Sequence, residues 1–165
     1  VNEPAAGGLG LAVVVTVSTR AAAGEYEDRS GPILVASLQE LGFSVDVPVV
    51  VPDGAAVGEA LRTAVGSGAV VVVTTGGTGI SPTDRTPQET RAVLEVELPH
   101  LAAAIARYGV DHGVPTSMLS RGVAGVVGRT LVVNLPGSTG GVRDGMAVLA
   151  AVLPHAVSQL RGGDH

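Results

Sequence analysis

A chain of 165 residues with 45% hydrophobic but only 2% aromatic content, 24 glycines and a formal charge of −5 is sized for one domain whose core is built from small aliphatic side chains. It has no cysteine and all ten basic residues are arginine, which excludes disulfides, thiolate metal sites, Schiff-base or lysyl-adenylate chemistry and a lysine-bearing phosphate loop. The negative balance argues against nucleic acid or a membrane surface as partner, and no apolar run approaches the roughly 20 residues of a membrane span. VNEPAAGGLG has no basic segment leading into an apolar one and does not read as a signal peptide, so a soluble cytoplasmic protein is expected.

In chain order, GLAVVVTVS (10–18) is an apolar run of strand length. DRSGPILVASLQELGF follows with Ser30 as the expected N-cap, Pro32 near the first helical position and Gly42 at the exit. SVDVPVVVP (44–52) reads as a second strand, DGAAVGEALRTAVGSG (53–68) as a helix with Asp53 at its entrance, and AVVVVTT (69–75) as a third, buried strand. After the glycine-rich loop, TPQE (86–89) has capping-box form, with Thr86 as cap, Pro87 at N1 and Glu89 at N3. LPHLAAAIARYG is helical, GVAGVVGRTLVVN (122–134) reads as two short strands joined by a glycine-bearing turn, and the chain closes as a helix bent or split at Pro154. The β-α-β-α-β order predicts an α/β fold, a three-layer sandwich with a mostly parallel central sheet and helices on both faces. Residues 9–161 form the single expected domain, with loose tails at 1–8 and 162–165.

Ligands of open parallel sheets bind beyond the carboxyl ends of the strands, and three such ends carry marked residues. The first strand ends at Ser18-Thr19-Arg20, the second at Pro52-Asp53, and the third runs through Thr74-Thr75 into Gly76-Gly77-Thr78-Gly79. Glycines let backbone N–H groups approach an anion closely without a lysine. A carboxylate just past such a nest, Asp84, would repel an anion unless a cation lay between them. Mg²⁺, held by one or two carboxylates plus phosphate oxygens, is that cation in most phosphate chemistry, so Asp53 and Asp84 are candidate metal-holding and catalytic residues. The competing readings are a helix cap for Asp53, a turn residue for Asp84 and a plain tight turn for the loop. The four histidines show no metal-like spacing, Ser120 has no triad partners at a diagnostic spacing, Arg85 and Arg121 are phosphate contacts or surface residues, and the loop is not the G-x-G-x-x-G of a dinucleotide site.

TTGGTGISPTDRTPQET resembles the signature of the molybdopterin-binding family (the MogA/MoaB/gephyrin G-domain group). DRSGP at 28–32, VPD at 51–53, MLSRGVAG at 118–125, TLVVNLPG at 130–137 and LPHAVSQL follow the family's order. The resemblance implies a three-layer α/β fold assembled as a homotrimer. It also implies an enzyme of molybdenum cofactor biosynthesis, a molybdopterin adenylyltransferase that transfers AMP from Mg-ATP to the terminal phosphate of molybdopterin and releases pyrophosphate, with a molybdate-insertion enzyme as the downstream partner. Carried over by residue, it implies Mg²⁺ on Asp53 and Asp84, phosphate at Gly76, Gly77, Thr78 and Gly79, and further substrate contacts at Ser18, Ser120, Asn134, Pro136 and Gly137. Thr19 stands where many relatives carry aspartate. Ser138-Thr139 and the Tyr108-Gly109 region also depart from the family pattern. The alternatives are a non-catalytic molybdopterin-binding paralogue, for which the retained aspartates are a poor fit, and an interaction module.

Overall fold

The computed structural model describes residues 8–163. The expected tails fall largely outside that range, at 1–7 and 164–165. A first strand, β1 (Gly10–Val17), runs one position in from an edge of a seven-stranded sheet. A one-turn helix, α1 (Thr19–Ala22), and then α2 (Ser30–Leu41) carry the chain back. Gly42 closes α2 in the left-handed region at φ 105°, as the sequence predicts.

The cap of α2 differs from expectation. Asp28 Oδ1 accepts the Gly31 N–H at 3.0 Å and its Oδ2 accepts the Thr16 hydroxyl at 2.8 Å, while Ser30 is buried beneath Thr75. A carboxylate placed two residues earlier reaches the free amide better than the serine, which the core needs as a small polar filler. The expected strand at 44–52 is two short ones, β2 (Phe43–Val45) and β3 (Val49–Val51), broken at Asp46-Val47-Pro48. Both pair in parallel with β1, β2 with its first half and β3 with its second. A proline cannot donate to the ladder, so the edge is interrupted where Pro48 falls.

Helix α3 (Ala55–Gly66) leads to β4 (Val71–Thr75), whose five residues are all buried. Then come α4 (Thr86–Arg91), β5 (Val96–Glu97), α5 (Pro99–Asp111), a 3-10 turn at Pro115–Leu119, β6 (Ala124–Val127) and β7 (Thr130–Leu135). The chain closes in α6 (Thr139–Leu160). Strand order is β2-β1-β4-β7-β6-β5, with β3 also on β1; β1, β4 and β7 are parallel and the β5-β6-β7 margin is antiparallel. The expected hairpin at 122–134 is therefore present. The expected break at Pro154 is not: α6 runs through it. Pro154 is exposed, so the carbonyl that loses its intrahelical donor faces solvent.

Alternation along the central strands divides the core in two. Val14, Val71, Val73, Leu131 and Val133 face Leu34 and Leu38 of α2 and Leu149 and Leu153 of α6. Val15, Val72 and Val132 face Val57 and Leu61 of α3. Helices thus cover both faces of the sheet, the three-layer arrangement expected.

One buried polar knot pins the top of this sheet. Asn134, 4% exposed, donates its two amide hydrogens to Thr74 Oγ1 (2.9 Å) and Thr90 Oγ1 (3.0 Å) and accepts the Val123 N–H on Oδ1 (3.1 Å). It ties β7 to β4, α4 and the entry to β6. Asn134→Ala leaves these buried partners unpaired, and we expect a loss of about 3 kcal/mol in urea unfolding with an unchanged m-value. A loss below about 1 kcal/mol would show that the knot is not a stabilising element.

Candidate active site

The strand ends on the Asn134 side converge on a cleft, and the turn after β4 forms its centre. Gly76 has φ 100° and Gly77 φ 67°, both left-handed. A Cβ on Gly76 would collide with the Val17 carbonyl oxygen, so β4 leaves the sheet here only with glycine. Expectation and structure differ over Thr86. It is not a cap; α4 begins after Arg85 with no side-chain cap, and the Thr86 hydroxyl donates to the Gly76 carbonyl at 2.9 Å.

The loop's acceptors are largely satisfied. The Gly77 carbonyl accepts the Thr86 N–H, the Thr78 carbonyl accepts the Arg121 N–H, and the Gly79 and Asp84 carbonyls accept Arg121 Nε and Nη2, each at 2.8 Å. Its donors are not. Gly76 N–H pairs with Leu135, but the N–H groups of Gly77, Thr78 and Gly79 have no protein partner among the described residues. Opposite, the Cβ position of Gly137 lies 3.2 Å from Gly76 Cα, and α6 begins two residues later. Ser138 caps α6 by accepting the Gly141 N–H at 3.0 Å, leaving the first-turn amides of Thr139 and Gly140 facing the loop region. Two sets of free amides, one with a helix dipole behind it, make an anion site.

The carboxylates flank this nest. Asp53 is half-buried; its Oδ1 accepts the N–H groups of Gly54 (2.8 Å) and Arg85 (3.0 Å), and its Oδ2 lies 2.6 Å from the Cβ position of Gly77. Gly54, not Asp53, stands at the N-cap of α3. Thr19 Oγ1 accepts the Asp53 N–H at 3.2 Å, so the threonine that replaces the family's aspartate holds the backbone of the catalytic candidate. Asp84 Oδ2 accepts the Ser81 N–H at 3.1 Å and lies 2.7 Å from the Cβ position of Gly79. Burial pushes the Asp53 carboxyl above its ordinary range and the negative Asp84 adds to this, against the Arg85 and Gly54 amides and the Arg85 charge, which lower it. Asp53 Oδ2 and Asp84 Oδ1 carry no hydrogen bond among the described residues. Two mutually repelling carboxylates, each with a free oxygen beside an anion nest, form a donor set that fits Mg²⁺. Among the described residues no three His, Cys, Asp or Glu side chains gather as ligands, so substrate phosphates would complete the shell.

The cleft has two lobes. The first, about 480 Å³, is bordered by hydroxyl-rich segments including Thr16, Ser18, Tyr26, Ser30 and Thr139. The second, about 530 Å³, is bordered by Thr78, Asp84, Leu119, Ser120 and Pro136 among others. Both touch Gly76, Gly77, Gly137 and Ser138, which form the ridge between them. Of the sequence candidates, Ser18 borders the first lobe while its hydroxyl caps α1 at Ala21 N–H, and Ser120 Oγ sits 3.4 Å from Thr78 Oγ1 in the second. Asn134 borders neither lobe, and both its amide hydrogens are engaged in the knot below. Asp53 also borders neither and reaches the nest from behind the loop. Sequence reasoning missed the bracing by Arg121 and the free first turn of α6. The first depends on a contact 42 residues away and leaves no local signal; the second was signalled by Gly137-Ser138 ahead of an apolar periodic run.

The family pattern described as "Probable molybdopterin binding domain" matches residues 13–155, a span that contains every residue lining the two lobes. The chain is 36% identical over 156 residues to the molybdenum cofactor biosynthesis bifunctional protein of Synechococcus elongatus; that match covers 94% of this chain but 49% of the relative, so the chain spans about half the length of that protein. It is 38% identical over 152 residues to the molybdopterin adenylyltransferase of Pyrococcus furiosus, covering 90% of this chain and 89% of the relative. The solved structure of the molybdopterin biosynthesis Mog protein from Mycobacterium ulcerans superposes with a TM-score of 0.87 at 55% identity, over 91% of this chain and 98% of that one. With the pattern matched over residues 13–155 and the fold in common, this chain belongs to the molybdopterin-binding domain family.

Proposed function

We propose that the chain is a molybdopterin adenylyltransferase, transferring AMP from ATP to the terminal phosphate of molybdopterin. The observation that carries this reading is the shared ridge. Two lobes large enough for two ligands share Gly76, Gly77, Gly137 and Ser138, and the free amides of the glycine loop and of the first turn of α6 belong to these residues or their near chain neighbours. Phosphates of two substrates would meet there, flanked by two carboxylates. The hydroxyl-lined lobe takes the nucleotide, and the lobe with Ile80, Val114 and Leu119 on its walls takes the pterin ring. The activity carried by the name of the Pyrococcus relative is of the same kind.

A terminal phosphate oxygen of molybdopterin attacks the α-phosphorus of ATP, the bond to the bridging oxygen breaks, and pyrophosphate leaves. The nucleophile is already an anion, so no general base is required. Asp53 and Asp84 would hold Mg²⁺, which when bound would neutralise phosphate charge and screen the carboxylates from it. The amides of Gly77, Thr78 and Gly79 fix one phosphate and those of Thr139 and Gly140 another, and alignment of the reactants supplies most of the rate. By the same family relation the protein works as a cytoplasmic homotrimer that passes its product to a molybdate-insertion enzyme.

Molybdopterin-dependent pyrophosphate release from Mg-ATP is the direct test. Asp53→Asn and Asp84→Asn should each lower its rate by about 100-fold or more, as expected when several kcal/mol of cation stabilisation is lost. Tight molybdopterin binding by the parent chain with no pyrophosphate release would instead make it a binding paralogue.

The raised carboxyl gives a second expectation. In metal-free buffer Asp53→Asn should melt higher than the parent at pH 7, because it removes a charge that burial and Asp84 disfavour and keeps the Oδ1 acceptor. The folded parent holds its Asp53 proton more tightly than the unfolded chain does. Parent stability therefore falls relative to the variant as pH rises from the ordinary carboxylate range through the raised value, and stays lower above it. Below that range the difference should vanish. A variant that melts lower at pH 7 would mean that Asp53 contributes net stability when ionised.

A further inference from the structure

Asp144, on the second turn of α6, borders the second lobe and has no hydrogen-bond or ion-pair partner among the described residues. It also borders a pit of about 30 Å³ at the lobe's floor, together with Ser117, Ser120 and Gly109. That is room for one small polar group. Glycine at 109 lets Ser117 pack against α5 at the pit's edge: a Cβ there would strike Ser117 Oγ, and Asp144 Oδ2 lies 3.9 Å from the same position.

The surroundings define what such a carboxylate can meet. The Arg121 guanidinium, which reaches this part of the loop, has Nε and Nη2 donating to the Gly79 and Asp84 carbonyls and is not on the lobe's lining. The lobe's other charged group is Asp84, also negative. Its walls include Ile80, Val114 and Leu119, which are 68%, 43% and 52% exposed, large apolar side chains that a flat ligand seated between them would cover. Away from the amides of the glycine loop, the Asp144 end of this lobe has a carboxylate and apolar walls and no basic side chain on its lining, which suits a planar ring that carries N–H donors on one edge better than a phosphate.

We propose that Asp144 is the specificity-determining residue of the pterin lobe. It accepts two parallel hydrogen bonds, from the ring N3–H and the 2-amino group of the aminopyrimidinone edge, with the amino group at the pit. A carboxylate meets such an edge as it meets a guanidinium fork, two acceptors to two donors in one plane. It also orients the substrate: ring donors go to Asp144 and the phosphate to the amides at the ridge. This inference rests on the adenylyltransferase reading.

The test is equilibrium binding of molybdopterin, and of 6-hydroxymethylpterin against 6-hydroxymethyllumazine, which carries a 2-oxo group in place of the amine. Parent, Asp144→Ala, Asp144→Asn and Asp144→Glu are compared, with ATP affinity and melting temperature as controls. The parent should favour the pterin over the lumazine by about 10- to 100-fold, the range of one or two charge-assisted hydrogen bonds. Ala and Asn should abolish that preference and weaken molybdopterin by a similar factor, Glu should restore part of it, and ATP affinity should change less than about twofold in all. A purely structural role for Asp144 would lower melting temperature or ATP affinity without changing the ratio, and would overturn the proposal. So would a parent that binds molybdopterin without discriminating the two rings, which leaves the adenylyltransferase reading standing. A parent that binds ATP but neither molybdopterin nor pterin overturns both.

Discussion

The site depends on an imbalance of hydrogen bonding in one turn. Every carbonyl from Gly76 to Gly79 has a donor, supplied by Thr86 and Arg121, while three consecutive amides after Gly76 have no acceptor among the described residues. Leaving a backbone N–H unpaired is costly in a buried turn, and the structure tolerates it only where an anion or water can fill the place. The result is a positive nest in a chain with formal charge −5 and no lysine. Arginine takes part without facing the ligand: Arg121 binds carbonyls, and by doing so aims the amides outward. A rigid guanidinium fork can hold two carbonyls 5 residues apart, Gly79 and Asp84, which an ammonium on a flexible stem would not.

Placing two carboxylates beside that nest follows from the same electrostatics. Each is anchored by backbone N–H groups, Asp53 by Gly54 and Arg85, Asp84 by Ser81, so neither can swing away from the other's charge. The strain appears as the raised carboxyl of Asp53. Such an arrangement disfavours the doubly ionised folded state, and a cation bound between the two carboxylates would relieve it without their having to move.

The framework was readable because it rests on local patterns. The strands at 10–18 and 69–75, the hairpin at 122–134 and the exit of α2 at Gly42 all came from apolar runs and glycine punctuation, and the glycine loop announced itself as a run of residues without side chains. What failed was the assignment of hydroxyls. Ser30 and Thr86 both stand where helix caps belong, yet one fills the core under Thr75 and the other holds the Gly76 carbonyl. A hydroxyl near a helix start satisfies the local rule and the tertiary need equally well in sequence; only the fold decides between them. Asn134 is the same case at a strand end. It reads as a turn or ligand residue, but register places it opposite Thr74, and burial then requires that all its hydrogen bonds be made inside. Arg121, Asp144 and the Gly109 pit were silent because each works through partners from distant elements.

The ridge between the lobes explains why the site needs glycines from two elements. Three of its four residues, Gly76, Gly77 and Gly137, have no side chain, and the fourth, Ser138, turns its hydroxyl to the start of α6. Any Cβ at Gly76 would meet Val17, and one at Gly137 would press on Gly76 itself. The backbone of β4 and that of the turn after β7 are therefore in contact, a proximity already set by the parallel pairing of Thr75 with Leu135. Register in the sheet thus brings the glycine turn and the start of α6 together. Three of the four residues that the two lobes share present bare backbone, and the side chains that distinguish one lobe from the other stand to either side of them.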